Sequence, residues 1–179
     1  MSVVWHDFDE RKITPEDFVA IIEIPKGSKK KYELDKNTGL IKLDRILSTS
    51  THYPANYGFI PKTYADDDDP LDVLVLCSET LDTMVEVRCY PIGYIRMEDS
   101  NEIDDKIIAV PFSDPNFNYY KDVSELPPHI TDEFQHFFAV YKELEHDKQT
   151  VLHDAKPRED AEIIIAKAIE DYQKLFPGR

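Results

Sequence analysis

The chain has 179 residues, 41% of them hydrophobic and 11% aromatic, which is enough for one domain with a sizeable core and argues against disorder. Its 36 acidic and 21 basic residues give a formal net charge of -15, which repels nucleic acid and anionic membrane surfaces. No run approaches the roughly 20 apolar residues that span a bilayer, and the N-terminus lacks the features of a signal peptide. We therefore expect a single cytoplasmic domain over residues 1–179, with no nucleic-acid or membrane partner.

The first part of the chain is rich in predicted strands. Residues 18–24 form an apolar run that Pro25 stops, and residues 29–34 and 40–45 follow as alternating segments separated by glycine-containing turns. This spacing predicts a β-meander.

Three charged residues in these strands are candidates for a site. Because side chains alternate along a strand, Lys31 and Glu33 point to the same face of the sheet. Glu23 interrupts the apolar run, and a charged residue in such a strand usually faces water, so the pattern alone leaves its role open.

Residues 51–61 contain two tyrosines, Tyr53 and Tyr57, around a proline-containing turn. Tyrosines in such a segment are more often packing residues whose hydroxyl groups find some partner than parts of a functional site. Their position just before an acidic stretch keeps the functional interpretation open.

Residues 66–72 combine five aspartates with a proline. On an extended loop Asp67 and Asp69 share a face, and Pro70 then turns the chain so that Asp72 opens the apolar strand 71–76. Crowded carboxylates repel one another and are costly to desolvate, so this arrangement indicates a site for Mg²⁺ or a similar hard cation. The alternative is a solvated acidic loop.

A second acidic cluster, residues 98–106, follows two apolar segments, 84–90 and 91–97, which we interpret as strands joined or bent at Pro91 and Gly93. We predict that this cluster is a loop feeding the strand 107–110. Two acidic loops that each run into a buried strand, one of them bearing a lysine, favour a polynuclear metal site for an oxyanion.

The last third of the chain predicts helices. A loop covers residues 112–128, and from Thr131 the apolar spacing is helical, with Tyr141 on the buried stripe and Lys142 at its flank, where a lysine is usually solvated. A final helix begins near Pro157 and ends at residues 177–178.

These stretches together resemble family I soluble inorganic pyrophosphatases of the prokaryotic type. The run Asp67–Val73 resembles the Asp-x-Asp-Pro-x-Asp signature of that family. A single short motif would be weak, but seven stretches match in order along almost the whole chain. They are residues 22–25, 31–35, 44–45, 53–58, 67–73, 104–111 and 136–142.

The resemblance implies a mainly β fold with α-helices (α+β), a small five-stranded closed barrel of the OB type with flanking helices that include a C-terminal one. It also implies Mg²⁺-dependent hydrolysis of pyrophosphate to two phosphates, with several ions per site and Mn²⁺ or other divalent ions as possible substitutes. The expected assembly is a homohexamer.

Roles follow from the resemblance, residue by residue. Asp69 corresponds to the general base, and Tyr57 to a residue near the nucleophile. The metal ligands correspond to Asp67, Asp72, Asp99, Asp104 and, through water, Glu33. The substrate clamp corresponds to Lys31, Arg45, Lys106, Tyr141 and Lys142. Glu23 and Tyr53 correspond to supporting residues.

One position departs from the family pattern. Many relatives carry an acid directly after the position of Asp99, where this chain has Ser100. Glu98, on the other side, is a poor substitute, because moving an acid by one residue reverses its direction on an extended segment. We therefore expect Asp99, and not Glu98, to serve the metal.

Two other classes of protein are less consistent with the residues. A calcium-binding EF-hand fails because Leu71 stands where a ligand is needed and Asp72 where glycine is needed. An OB-fold protein that binds nucleic acid or sugar shares the expected fold, but the net charge disfavours it and the basic face with stacking aromatics that it needs is missing.

Overall fold

A closed ring of five strands forms the centre of the computed structural model, which describes residues 3–145 and 150–179. Its strands are β1 (Phe18–Ile24), β4 (Asn56–Phe59), β5 (Asp72–Val75), β6 (Glu86–Asp99) and β7 (Glu102–Pro111). They pair in the order β1, β4, β5, β7 and β6, and β6 closes the ring onto β1. Only the β5–β7 pair of this ring is parallel. The predicted fold class, a mainly β protein with flanking helices, is confirmed.

The remaining elements lie around this ring. A separate hairpin and two short strands that pair with β6 complete the β structure: β2 (Lys30–Leu34), β3 (Ile41–Ile46), β8 (Thr150–Leu152) and β9 (Lys156–Pro157). The helices are α1 (Val4–Asp7), α2 (Pro128–Val140) and α3 (Arg158–Leu175). Helix α1 and strands β4, β8 and β9 were not predicted, because they are too short for their apolar periodicity to be recognised.

Close packing of β1 against β4 depends on one glycine. A Cβ atom added at Gly58 would lie 1.8 Å from the carbonyl oxygen of Ile21, whose residue belongs to the paired strand. Every residue of β1 is buried, including Glu23. Glycine therefore allows the backbones to approach at the point where β4 carries Tyr57 into the site.

The second acidic cluster is not a loop, which corrects the prediction made for residues 98–106. The strands β6 and β7 pair from Cys89 to Asp99, and only Ser100 and Asn101 turn the chain, both with positive φ angles (53° and 71°). Such two-residue turns match the twist of paired strands. The bend expected at Pro91 and Gly93 is confirmed, because the register with β7 shifts there.

Helix α2 also differs in its limits. It begins at Pro128 instead of Thr131 and ends at Val140, so Tyr141 is its C-cap and Lys142 lies in the turn beyond it. A proline is well suited to a first helical position, which sequence periodicity does not reveal. Helix α3 begins next to Pro157 as predicted and ends at Leu175, before the predicted end at residues 177–178. None of the helices described in the structure has the length and apolar character needed to cross a bilayer.

Candidate active site

A cavity of about 610 Å³ opens between the β2–β3 hairpin, the acidic stretch and the end of α2. All the residues that the resemblance implied, except Arg45, line it. They are Glu23, Lys31, Glu33, Tyr53, Tyr57, Asp67, Asp69, Asp72, Asp99, Asp104, Lys106, Tyr141 and Lys142. Residues that are up to 119 positions apart in sequence thus meet in one pocket.

The acidic stretch reaches the cavity through a turn, and not as the extended loop that we predicted. The N–H of Ala65 donates to the carbonyl of Asp69 (2.8 Å), and Asp68 has a φ of 65°. The N–H of Asp69 in turn donates to the Asp67 carboxylate (3.3 Å). A tight turn of this kind brings Asp67 and Asp69 to the same side, as extended backbone would have done.

The other two acids of the stretch do not line the cavity. Asp66 pairs with Lys167 of α3 (3.1 Å), and Asp68 accepts a hydrogen bond from the Tyr64 hydroxyl. Asp66 and Asp68 are therefore separated from Asp67 and Asp69 by the turn, and not by the alternation of side chains along an extended loop.

The hairpin of β6 and β7 supplies the next acids. Asp99 is the last residue of β6 and pairs in register with Glu102, so the two-residue turn fixes its position at the cavity. The Glu98 carboxylate instead contacts His153 Nε2 (2.9 Å) outside the cavity lining. This placement agrees with the expectation that Asp99 is the acid directed to the site.

Lys106 lies at the centre of the pocket floor. Its side chain is 2% exposed, and its ammonium donates to Asp72 and Asp104 at 2.7 Å each and to the Tyr57 hydroxyl at 2.9 Å. The Tyr57 hydroxyl in turn donates to Asp72. Burial would lower the pKa of Lys106, but the charges of Asp104 and Asp72 outweigh it and raise that pKa well above its usual value.

Several carboxyl groups are held in an unfavourable environment for negative charge. Burial, followed by the charges of Asp72 and Asp104, raises the pKa of Asp67 to about 7. Burial, followed by the charge of Asp72, raises the pKa of Glu23 to about 8, although its carboxylate accepts a hydrogen bond from the Leu34 N–H (2.7 Å). Groups whose charge is penalised in this way favour the arrival of a cation.

Two further cationic side chains, Lys31 and Lys142, line the cavity. Lys31 pairs with Glu33, as the strand alternation predicted, and also lies 3.4 Å from Asp44. Lys142 pairs with Asp99. Each of these cations is thus shared with a carboxylate.

Arg45 is the predicted site residue that does not line the cavity. It lies beside Lys31 in the β2–β3 pairing, and its guanidinium is held by Asp44 and Glu145 at 2.6 Å each. Its Nη2 atom is buried and has no hydrogen-bond partner among the described residues. An unsatisfied guanidinium nitrogen next to an acidic cavity suits an incoming phosphate oxygen.

Two lysines of the β2–β3 hairpin that were not predicted as site residues, Lys36 and Lys42, also line the cavity. Lys36 pairs with Asp69 and lies over the ring of Trp5 (5.5 Å). Both are exposed residues, for which a solvated charge is the usual expectation.

The donor set fits divalent cations of the Mg²⁺ type. Within residues 3–145 and 150–179, no three acidic, histidine or cysteine side chains stand ready to hold an ion. The reason is visible at Lys106, whose ammonium lies between Asp72 and Asp104. The candidate ligands are all carboxylate oxygens, which hard cations prefer, and burial, followed by the charges of Asp72 and Asp104, raises the pKa of Asp67 and so penalises its negative charge.

Fold and site together define a class of protein: a hydrolase or binding protein for a small, highly charged oxyanion, in which carboxylates hold cations and lysines hold the anion.

Comparison with known proteins identifies the family. The sequence model described as inorganic pyrophosphatase matches residues 20–173. The chain is 46% identical to soluble inorganic pyrophosphatase 2 of Chlamydomonas reinhardtii over 175 residues, covering 98% of this chain and 91% of that protein. It is 47% identical to the inorganic pyrophosphatase of Aquifex pyrophilus over 172 residues, covering 95% and 97%.

Solved structures agree. The inorganic pyrophosphatase of Helicobacter pylori superposes with a TM-score of 0.86 at 40% identity, covering 89% of this chain and 95% of that one. The enzyme of Thermus thermophilus also gives 0.86, at 39% identity, covering 89% and 92%. The chain belongs to the inorganic pyrophosphatase family, whose members hydrolyse pyrophosphate to phosphate. The resemblance stated from the sequence is confirmed.

Proposed function

We propose that the cavity binds pyrophosphate together with Mg²⁺ and that water attacks one phosphorus in line, which releases two phosphates. The observation that carries this proposal is the meeting of carboxylates and lysines in one cavity, with Lys106 held between Asp72 and Asp104. Pyrophosphate cannot enter a carboxylate-lined pocket unless cations separate the two sets of negative charge.

The carboxylates are the proposed metal ligands: Asp67, Asp72, Asp99 and Asp104 directly, and Glu33 through water. Mg²⁺, when bound, neutralises these groups, offsets the charge of the phosphates and lowers the pKa of the attacking water. Mn²⁺ or another divalent ion with oxygen preference would serve as a substitute. The burial and mutual repulsion that raise the pKa of Asp67 support this assignment.

Asp69 is the proposed general base. Its side chain is 49% exposed at the cavity, so it can reach a water molecule, orient it and accept its proton. Tyr57 is proposed to donate a hydrogen bond from its hydroxyl close to the attacking water. Burial, followed by the charges of Asp72 and Asp104, raises its pKa well above the usual value, so its hydroxyl stays a hydrogen-bond donor.

The leaving phosphate is held by positive and donor groups. Lys31, Lys106 and Lys142 line the cavity, as does Tyr141, while Arg45 reaches it by exchanging a present carboxylate partner for a phosphate oxygen. These groups offset the charge that grows on the leaving oxygen.

Two buried residues support this arrangement. Glu23 binds the Leu34 N–H and so fixes the base of the hairpin that carries Lys31. The Tyr53 ring packs against the rings of Tyr57 and Phe137, with centroids 5.3 and 4.7 Å away. Rigid packing of this kind keeps reacting groups in position.

We further propose that residues 1–179 act as one domain, that six copies assemble into a homohexamer, and that the enzyme works in the cytoplasm without a nucleic-acid or membrane partner. The family membership supports the assembly. A sedimentation mass near that of one chain at working concentration would contradict it.

Phosphate release from pyrophosphate tests the proposed function. The wild-type protein should turn over with Mg²⁺ and fall to background with EDTA, and Mn²⁺ should restore activity. The Lys31→Ala variant should lose about a hundredfold in kcat, because it removes a cation that stabilises the transition state. Lys30→Ala is the matched control, since the exposed Lys30 does not line the cavity. Metal-independent turnover would overturn the proposal.

A further inference from the structure

Lys36 is a cavity-lining lysine outside the proposed substrate clamp, and it contacts the proposed general base directly. It lies in the turn that follows β2, and its ammonium pairs with the carboxylate of Asp69. The same ammonium donates to the main-chain carbonyl of Asp68 (3.1 Å). Lys36 therefore holds Asp69 in two ways, through its side chain and through the backbone that carries it.

The turn that carries Lys36 is fixed by its own hydrogen bonds. One oxygen of the Asp35 carboxylate accepts the N–H groups of Asn37 (2.9 Å) and Thr38 (3.0 Å), as aspartate commonly does in turns. The N–H of Gly39 donates to the Asp35 carbonyl (2.8 Å), and its φ of 73° is one that glycine adopts without strain. The Lys36 side chain therefore begins from a well-defined backbone position.

Trp5 supports the same ammonium from another part of the chain. The Lys36 Nζ atom lies 5.5 Å from the centroid of a Trp5 ring, within the range of a cation–π contact. Trp5 is itself 3% exposed, and its indole Nε1 donates to the carbonyl of Thr63 (2.8 Å). The hairpin, the acidic stretch and the N-terminal helix thus meet at one ammonium group.

The Asp69 side chain needs support of this kind. It is 49% exposed, so close packing does not fix its orientation. A general base must lie within hydrogen-bond reach of the water, and a displacement of about 1 Å can cost on the order of a hundredfold in rate. The contact with Lys36 is made through Oδ1, and a carboxylate has a second oxygen that can accept the proton.

Stability alone is a poor explanation for the pair. The Lys36 side chain is also exposed, and ion pairs between exposed groups contribute little to the free energy of folding. We infer that Lys36 is a positioning residue, which directs the Asp69 carboxylate to the attacking water. This inference rests on the proposed role of Asp69 as the general base.

The test is a double-mutant cycle that measures phosphate release from pyrophosphate with saturating Mg²⁺. Lys36→Met, which removes the charge and keeps most of the side-chain length, should lower kcat by about tenfold or more and change KM by less than about threefold. In the Asp69→Asn background the same change should lower kcat by less than about twofold, because Lys36 acts through Asp69. A merely structural role would lower kcat by the same factor in both backgrounds.

Two further variants complete the activity measurements. Lys36→Arg should recover most of the lost kcat, because its guanidinium can hold the same oxygens. Lys30→Met is the matched control, since Lys30 belongs to the same hairpin and lies over the ring of Tyr32 (5.8 Å) but does not line the cavity. It should keep the kcat and KM of the wild type. Thermal unfolding of each variant establishes that it is folded.

Trp5 gives a readout that needs neither metal nor turnover, because it is the one tryptophan of the sequence. In EDTA, Asp69→Asn should change the intensity of Trp5 emission, since Lys36 loses its carboxylate partner and moves relative to the ring. The same substitution should leave the emission unchanged in the Lys36→Met background. An equal change in both backgrounds would count against the inference.

The kinetic outcomes separate this inference from the proposed function. If Lys36→Met keeps the wild-type kcat while Asp69→Asn loses activity, the inference is overturned and the proposed function stands. Independent, multiplicative losses in the double variant would also overturn it, as would a raised KM with unchanged kcat, which would make Lys36 a substrate contact. A wild-type protein without Mg²⁺-dependent turnover would instead refute the proposed function and, with it, this role of Lys36.

Discussion

The buried carboxyl of Glu23 should make the protein less stable as the pH rises. Its pKa is about 8 in the folded protein against a usual value of 4.5, so the folded state binds more protons between these two pH values. The free energy of unfolding therefore falls as the pH rises from 4.5 to 8. The full difference between the two pKa values corresponds to on the order of 5 kcal/mol, an upper limit for one group.

Replacement by glutamine isolates this effect. In Glu23→Gln the side-chain oxygen can still accept the Leu34 N–H, but the group cannot ionise. In urea unfolding with EDTA at fixed protein concentration, the variant should gain stability over the wild type by about 2–4 kcal/mol at pH 8.5. At pH 4.5 the two proteins should differ by less than about 1 kcal/mol.

Glu86→Gln serves as the control, because Glu86 is an exposed residue of β6 opposite β1. It should leave the pH dependence of the wild type unchanged. An equal difference between wild type and Glu23→Gln at both pH values would refute the reasoning, since it would show that ionisation of Glu23 does not oppose folding.

Three further outcomes are expected. Asp99→Asn should raise the Mg²⁺ concentration needed for half-maximal activity by about tenfold or more, and Glu98→Gln, whose residue faces His153, should change it less; the reverse order in a metal titration would contradict the ligand assignment. Gly58→Ala should destabilise the protein by roughly 3 kcal/mol or more, because its Cβ would collide with the Ile21 carbonyl, and an unchanged urea midpoint would refute this. Lys106→Met should cost roughly 3 kcal/mol in EDTA, because two carboxylates lose their cation, and added Mg²⁺ should recover part of that loss; equal loss with and without Mg²⁺ would argue against a cation site there.

The side chains that meet in the cavity could be predicted where their chemistry is encoded in residue type. Repulsion among aspartates is a property of composition and spacing, so a metal site at residues 66–72 could be proposed before their backbone was known. The alternation of side chains along a strand also placed Lys31 and Glu33 on one face, and the two side chains pair in the structure. The extended loop was wrong in its geometry, because a turn centred near Asp68 gives the same separation of side chains.

The fold was harder to predict from local sequence patterns than the side chains of the site were. Strand β4 is four residues long and contains Gly58, so no local propensity marks it; its strand conformation follows from pairing with β1 and β5. The end of α2 before Tyr141 likewise depends on tertiary contacts, since the apolar spacing continues beyond it. The closed ring of strands was predicted from the resemblance to a family, and not from hydrophobic periodicity.

The most direct measurement of the proposed mechanism compares phosphate release by Asp69→Asn and Asp68→Asn at saturating Mg²⁺ and pyrophosphate. The two changes are chemically identical and adjacent, but Asp69 lines the cavity and Asp68 does not. We predict that Asp69→Asn lowers kcat by about a hundredfold or more, because the water loses its proton acceptor, and that Asp68→Asn stays within about threefold of the wild type. Equal activity of the two variants would contradict the assignment of Asp69 as the general base.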